Sequence, residues 1–198
     1  SVLLPLVPAF LERYDRVELD LSIHDRIVDL FDERADVALR SGPLPDSSLS
    51  ARKILETTRV VVASPAYLAR RGTPRHPDEL AGHNCLGFNF HRSMSGWPFL
   101  DPETGREWQM ANAGNALLDS GPSLRRLCLM GLGIGRVGRL YAEPQIAAGT
   151  LVPILEAFNP GDIETVNALF VRHDHMAARV RAFVDFLAQA IRERAERL

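Results

Sequence analysis

Residues 123–138 read SLRRLCLMGLGIGRVG, and the order of elements inside this stretch decides the fold. Gly133, Gly135 and Gly138 match the spacing G-x-G-x-x-G. A dinucleotide site needs a strand before such glycines and a helix after them, so that the helix N-terminus meets pyrophosphate. Here the order is reversed. Leu124, Leu127 and Cys128 share one helical face ahead of the glycines, and Ile134 to Val137 reads as a short strand behind them. The structural reading is a helix that ends at Gly131 or Gly133 and a tight helix-to-strand turn, and no cofactor is expected.

Working outward, elements of both kinds alternate. Leu3 to Tyr14 carries Leu3, Val7, Phe10, Leu11 and Tyr14 at helical spacing, with Pro5 and Pro8 near its start. Val17 to Leu21 alternates apolar and acidic residues and reads as a strand. A short helix headed by Asp25 follows, then a strand from Asp36 to Arg40 that ends in the turn Ser41-Gly42-Pro43. Such a strand–helix–strand unit favours parallel pairing. After Ser47 to Ile54, the run Arg59 to Ala63 suggests a strand buried on both faces. Ser64-Pro65 opens a helix that stops at Gly72, and the turn-rich stretch from Gly72 to Asn84 looks like a passage between lobes.

In the second half, Cys85 to Phe90 is an expected strand, and a hairpin region from His91 to Met110 holds Trp97 and Trp108. Asn115 to Leu118 ends a strand, and Ser120-Gly121-Pro122 enters the helix Ser123 to Met130. Further strands are expected at Leu151 to Leu155 and Val166 to Val171. The last helix places Met176, Val180, Phe183, Val184, Leu187 and Ile191 in one apolar stripe. Alternating strands and helices indicate α/β architecture, and the Pro/Gly-rich middle suggests two lobes. Ligands of open α/β sheets bind beyond the carboxyl ends of the strands. The turns Ser22 to Asp25, Arg40 to Pro43 and Asp119 to Ser123 follow strand ends in that manner.

Charge and composition exclude several functions. The 198 residues carry a net charge of −2, and the sequence pI is about 6.3. A surface that grips DNA displaces counterions with concentrated basic groups, and no segment here is a basic patch. No apolar run reaches the ~20 residues needed to span a bilayer. The chain opens Ser1-Val2-Leu3-Leu4-Pro5, without an export signal and without Met, and reads as a fragment. Cys85 and Cys128 lie too far apart for a CxxC redox pair or a zinc site, and read as two buried thiols in a reducing cytosol.

The remaining signals are weaker. His173 and His175 flank Asp174 without a third ligand, and His24, His76, His83 and His91 are scattered among turns, so no metal is expected. There is no nucleophile elbow and no Ser-x-x-Lys, and the carboxylates Asp25 and Asp119 are each explained by helix capping, so no catalytic residue is expected. Ser120, Gly121 and Ser123 stand where the amides of a helix start point outward, which suits either an anion or plain N-capping.

Taken together, several strings resemble the effector-binding domain of LysR-type transcriptional regulators. They are Asp25 to Leu30, Asp36 to Leu49, Ala63 to Pro74, Leu80 to Leu86, Leu124 to Gly135, Ile146 to Pro153 and Arg179 to Leu187, in the family's order. The resemblance implies a two-lobed fold like that of the periplasmic binding proteins (type II), with residues 1–64 and 169–198 in lobe I and 65–168 in lobe II. It also implies a first strand preceding Ser1, and a winged helix-turn-helix absent from this chain.

By position in that family, an effector cleft between the lobes is lined by Ser22, His24, Asp25, Arg40, Ser41 and Gly42 from the first lobe. From the second lobe come Phe90, Asp119, Ser120, Gly121 and Ser123. Arg40 suits an effector carboxylate, and equally a structural acid such as Asp46. The expected partners are a small-molecule effector, DNA through the absent domain only, and further copies of the chain in a homodimer or homotetramer. The first helix, Leu3 to Tyr14, would lie at a subunit contact. The family is cytoplasmic and not enzymatic. The alternatives are an extracytoplasmic solute-binding protein, which shares the fold, and a hydrolase or dehydratase on an α/β scaffold.

Overall fold

Why the chain forms two compact units is visible in how its longest strand is used. The computed structural model describes residues 3–23, 35–42, 49–89, 96–111, 113–171 and 177–195, with side chains up to residue 193. Among these, the first unit takes the chain up to Thr57 and from Ile163 onward, and the second takes Thr58–Asp162. Strand β2 (Leu49–Ala63) belongs to both, because it runs through Thr57 and Thr58 without a break. Arg59 to Ala63, expected as a separate strand, is its far end. Val60, Val61, Val62 and Ala63 are at most 5% exposed there, as a strand covered on both faces should be.

In the first unit, β1 (Ala38–Ser41) pairs with β9 (Ile163–Val171), which neighbours β2. The β1–β9 pairing is antiparallel, Arg40 lying opposite Asn167 and Ser41 opposite Val166. The parallel pairing expected within residues 17–40 is not seen among the described residues. The expected helix at Asp25 lies outside the described residues. Among the described residues Val17 to Leu21 forms no ladder, although its exposure does alternate, residue by residue. Alternation reports which side chains face water and is silent on whether a partner strand exists.

Helix α1 (Val7–Arg13) is extended at its start by a single 3₁₀ turn, Leu4–Leu6, with prolines in both first turns. Its Phe10 is fully buried and meets the rings of Phe183 and Phe186 on α5 (Ala178–Ala195) at 5.1 and 5.3 Å. Val180, Val184, Leu187 and Ile191 bury the expected stripe of α5. Met176 lies outside the described residues.

The second unit is built around β7 (Ile134–Gly138). It pairs antiparallel with β2 and parallel with β3 (Cys85–Phe88), and β3 pairs parallel with β6 (Leu117–Leu118). Strand β8 (Val152–Ile154) pairs antiparallel with the same end of β2, at Val61 to Ala63, and β4 (Gly96–Leu100) with β5 (Glu107–Ala111) makes the expected hairpin. One face packs Val61, Cys85 and Ile134 against Trp97, Phe99 and Tyr67 of α2 (Pro65–Arg71). The other packs Val60, Val62 and Leu86 against Leu124 and Cys128 of α3 (Gly121–Leu129) and Ala142 of α4 (Arg139–Ala147).

Helix α3 ends as its glycines require. Gly131 has φ +77, its N–H reaches Cys128 O, and Leu132 N–H reaches Leu127 O. This paired closure satisfies the last carbonyls before β7 begins. The turn-rich stretch Gly72 to Asn84 is not a passage between units. It lies wholly inside the second unit, folds into a 3₁₀ segment at Pro77–Gly82, and buries Pro77 and Leu80 in the core. Helix α4 was not expected: Gly138 gives it no side-chain cap and Pro144 sits within it. Burial of Ala142, and the Arg125 guanidinium donating to Tyr141 O, hold it in place against those local penalties.

Candidate functional site

Two turns at strand ends carry the described part of the expected site. In the first unit, β1 delivers Arg40 and Ser41, and Gly42 follows with φ +88, a conformation that suits glycine alone without strain. Gly42 N–H donates to Thr165 O at 2.9 Å, which pins the turn to β9. Arg40 is half-buried and Ser41 exposed. Asn167, opposite Arg40, is 9% exposed and places a second polar side chain beside it. Ser22 is exposed in an irregular segment of this unit. His24, Asp25 and Phe90 lie outside the described residues, as does Asp46, the alternative partner for Arg40.

In the second unit, Asp119 and Ser120 follow β6 directly, and Gly121 opens α3. Ser120 has an extended backbone. Its hydroxyl accepts Ser123 N–H at 3.5 Å and its carbonyl accepts Leu124 N–H at 2.9 Å, the geometry of an N-cap. Capping, one of the two readings left open for Ser120, is therefore what its side chain does here. Asp119 and Ser123 are exposed, and Ser120 and Gly121 half-buried.

Two buried polar residues in the strands escaped sequence reasoning. Besides Asn167, Arg136 on β7 is only 5% exposed and pairs with Asp162. Arg136 is the one polar side chain of β7, and Asn167 interrupts the apolar run Val166 to Val171 within β9.

At the opposite, amino end of β3, β6 and β7 lies a hollow of about 570 Å³, lined in part by Tyr67, Arg70, Arg71, His83, Asn84 and Leu132. Its polar groups are engaged with the fold. Arg70 donates to Gly131 O at 2.7 Å and Arg71 to Gly82 O at 3.0 Å, serving carbonyls at helix ends. Asn84 donates to Leu132 O and accepts Asn115 N–H, both at 2.9 Å, and so ties the starts of three strands. Its own N–H donates to Tyr67 Oη at 2.9 Å, and that hydroxyl lies 3.2 Å from His83 Nδ1.

This chain of contacts favours a neutral His83 ring, whose Nδ1 accepts from the tyrosine. Burial lowers the His83 pKa, as does the Arg71 charge, while Glu79 opposes them. Because the folded value lies below the unfolded one, the stabilisation is complete above the ordinary histidine value of about 6.5 and is lost as pH falls below it. Thermal melts should therefore show the wild-type midpoint dropping more steeply than that of His83→Gln between about pH 6.5 and pH 5. Parallel pH dependences would contradict this account of the ring.

The thiols are protonated at neutral pH. Burial raises the Cys85 pKa to about 11 and that of Cys128 to about 12, and both cysteines are free. Among the described residues, no group of three or more His, Cys, Asp or Glu could hold a metal ion. No helix among them is long and apolar enough to cross a membrane.

A two-unit α/β fold whose glycines follow a helix and open a strand stands outside the dinucleotide-binding class. Comparison with known proteins supplies its class. The model of the LysR substrate binding domain matches residues 1–192, and the chain belongs to that family. It is 37% identical over 190 residues to the HTH-type transcriptional regulator CrgA of Neisseria meningitidis, covering 96% of this chain and 62% of that protein. The chain thus spans about three-fifths of the length of such relatives.

The solved regulatory domain of CrgA superposes with a TM-score of 0.85 at 36% identity, covering 95% of this chain and 91% of that one. The full-length structure of the Vibrio cholerae virulence activator AphB gives 0.78 at 28% identity, over 95% and 63% of the two chains. The fold is the periplasmic-binding-protein-like type II fold of these regulatory domains. The relatives are transcriptional regulators, which does not favour the solute-binding-protein or hydrolase readings.

Proposed function

We propose that this chain is the effector-sensing part of a LysR-type transcriptional regulator, holding a small carboxylate-bearing metabolite without transforming it. The observation that carries the reading is the placement of Arg40, Ser41 and Gly42 at one strand end and of Asp119, Ser120, Gly121 and Ser123 beyond another. The residues assigned to effector binding are these, together with Ser22, His24, Asp25 and Phe90. Arg40 meets the carboxylate, its planar fork offering two parallel donors.

Occupancy changes the balance between two states of the regulator and so alters DNA binding by a winged helix-turn-helix elsewhere in the protein. Such coupling amounts to about 1–3 kcal/mol and requires the effector to bind the two states unequally. The regulator works in the cytoplasm as a homodimer or homotetramer, with α1 at a subunit contact, and needs no cofactor.

Calorimetric titration of the intact regulator with small carboxylates and aromatic acids tests this. One of them should bind, and Arg40→Ala should weaken it by about ten- to a hundredfold, the loss of a charge-assisted hydrogen bond, with the melting midpoint little changed. Binding that survives Arg40→Ala at full strength, or a panel that gives no heat at all, overturns the proposal.

A further inference from the structure

The charge on Arg136 is not explained by the turns described above. Among the described residues it is the one buried charged side chain. All five residues of β7 are buried, and Arg136 shares its face with Ile134, which packs among Val61, Cys85, Trp97 and Phe99. Removing a guanidinium from water is expensive, and a buried ion pair is seldom more stable than a well-packed apolar residue in its place. Stability is therefore a poor reason for this arginine.

Its position gives a better one. Strand β7 is parallel to β3, and β3 to β6, so the carboxyl end of β7 is at the same end as the Asp119–Ser123 turn. Beyond that end lies the segment carrying Asp162. Asn159 donates to Arg59 O at 2.7 Å and accepts Gly161 N–H at 3.1 Å, and Arg59 stands opposite Gly138, the last residue of β7. The Asp162 carboxylate, 38% exposed, reaches inward from this turn to Arg136.

We propose that Arg136 is a second carboxylate-recognising residue of the effector site, with Asp162 as a resident counter-ion that an anionic effector displaces. The inference rests on the effector-binding reading above. The exchange is balanced: one carboxylate leaves the guanidinium as another arrives, so no buried charge is stranded in either state. Asp162, already part-exposed, is rehydrated on release. Asp162 is held through one contact, Arg136 Nη2 donating to its Oδ1, whereas the planar fork of arginine can offer an incoming carboxylate two parallel donors.

The two partners must then act with opposite sign, which a purely structural pair would not do. In calorimetric titrations of the intact protein with benzoate, succinate and inorganic sulfate, Asp162→Asn should tighten binding of whichever anion the wild type takes by about tenfold or more. Arg136→Met should weaken it by a similar factor. If Arg136→Met does not fold, Arg136→Lys keeps the charge but loses the fork and should still weaken binding. The melting midpoint of Asp162→Asn should be lower than that of the wild type and recover with added anion.

Wild-type binding that weakens in Arg40→Ala but is unchanged or weakened in Asp162→Asn overturns this inference and leaves the effector reading standing. Failure of the wild type to bind any of the three anions overturns this proposal.

Discussion

Gly114→Ala is expected to prevent the second unit from folding. A methyl group on this residue would lie 1.9 Å from the carbonyl oxygen of Cys85 and 2.5 Å from its carbonyl carbon. These are backbone atoms at the start of β3, so no side chain can move aside to make room. Cys85 is 2% exposed, and its strand pairs with both β6 and β7. Relief of the clash means parting the start of the sheet, where Asn84 ties three strands together. The loss should exceed about 4–5 kcal/mol, the range reserved for backbone strain and core disruption. Gly82→Ala is the matched control, since its added methyl meets nothing within 4 Å. Soluble yield and circular dichroism should show an unfolded or insoluble Gly114→Ala beside a native Gly82→Ala. A natively folded Gly114→Ala would refute the packing described for this edge.

Phe10→Ala should be the most damaging truncation in the first unit. The ring is fully buried, and its centroid lies 4.9 Å from Tyr14, 5.1 Å from Phe183 and 5.3 Å from Phe186. It is the contact through which α1 is held on α5. Truncating a buried phenylalanine costs about 3–5 kcal/mol, combining lost transfer energy with a cavity that its neighbours fill only in part. Denaturant unfolding should show that loss, together with early exposure of α1 to proteolysis. A loss below about 1 kcal/mol, the centre of ordinary point substitutions, would mean that α1 does not depend on this ring.

How much of this was legible in the sequence depends on how local the determining interactions are. Helix α5 was readable because a stripe at 3.6-residue spacing is written within the helix itself. The close of α3 at Gly131 was readable for the same reason: a positive φ after an apolar periodic run is a local requirement. Pairing is different. Val17 to Leu21 has the alternation of a strand and pairs with nothing in the described residues, while β1 takes β9, more than a hundred residues further along the chain, as its antiparallel partner. Neither outcome is encoded near those residues.

Helix α4 was hidden by Pro144, a local penalty outweighed by burial of Ala142. The proposed site shows the same division. Arg40 to Gly42 and Asp119 to Ser123 were visible as polar residues at strand ends. Arg136 and Asn167 were not, because a polar residue within an apolar run acquires meaning only when its neighbours across the sheet are known.

The proposed function requires that both the Ser41–Gly42 turn and the Ser120–Ser123 turn respond when effector is added. Amide hydrogen exchange of the intact protein, with and without the carboxylate found by calorimetry, tests this most directly. Slowed exchange at both turns together is the predicted result. Protection confined to one turn, or found instead around Arg70, Arg71 and Asn84 at the opposite end of the strands, would contradict it.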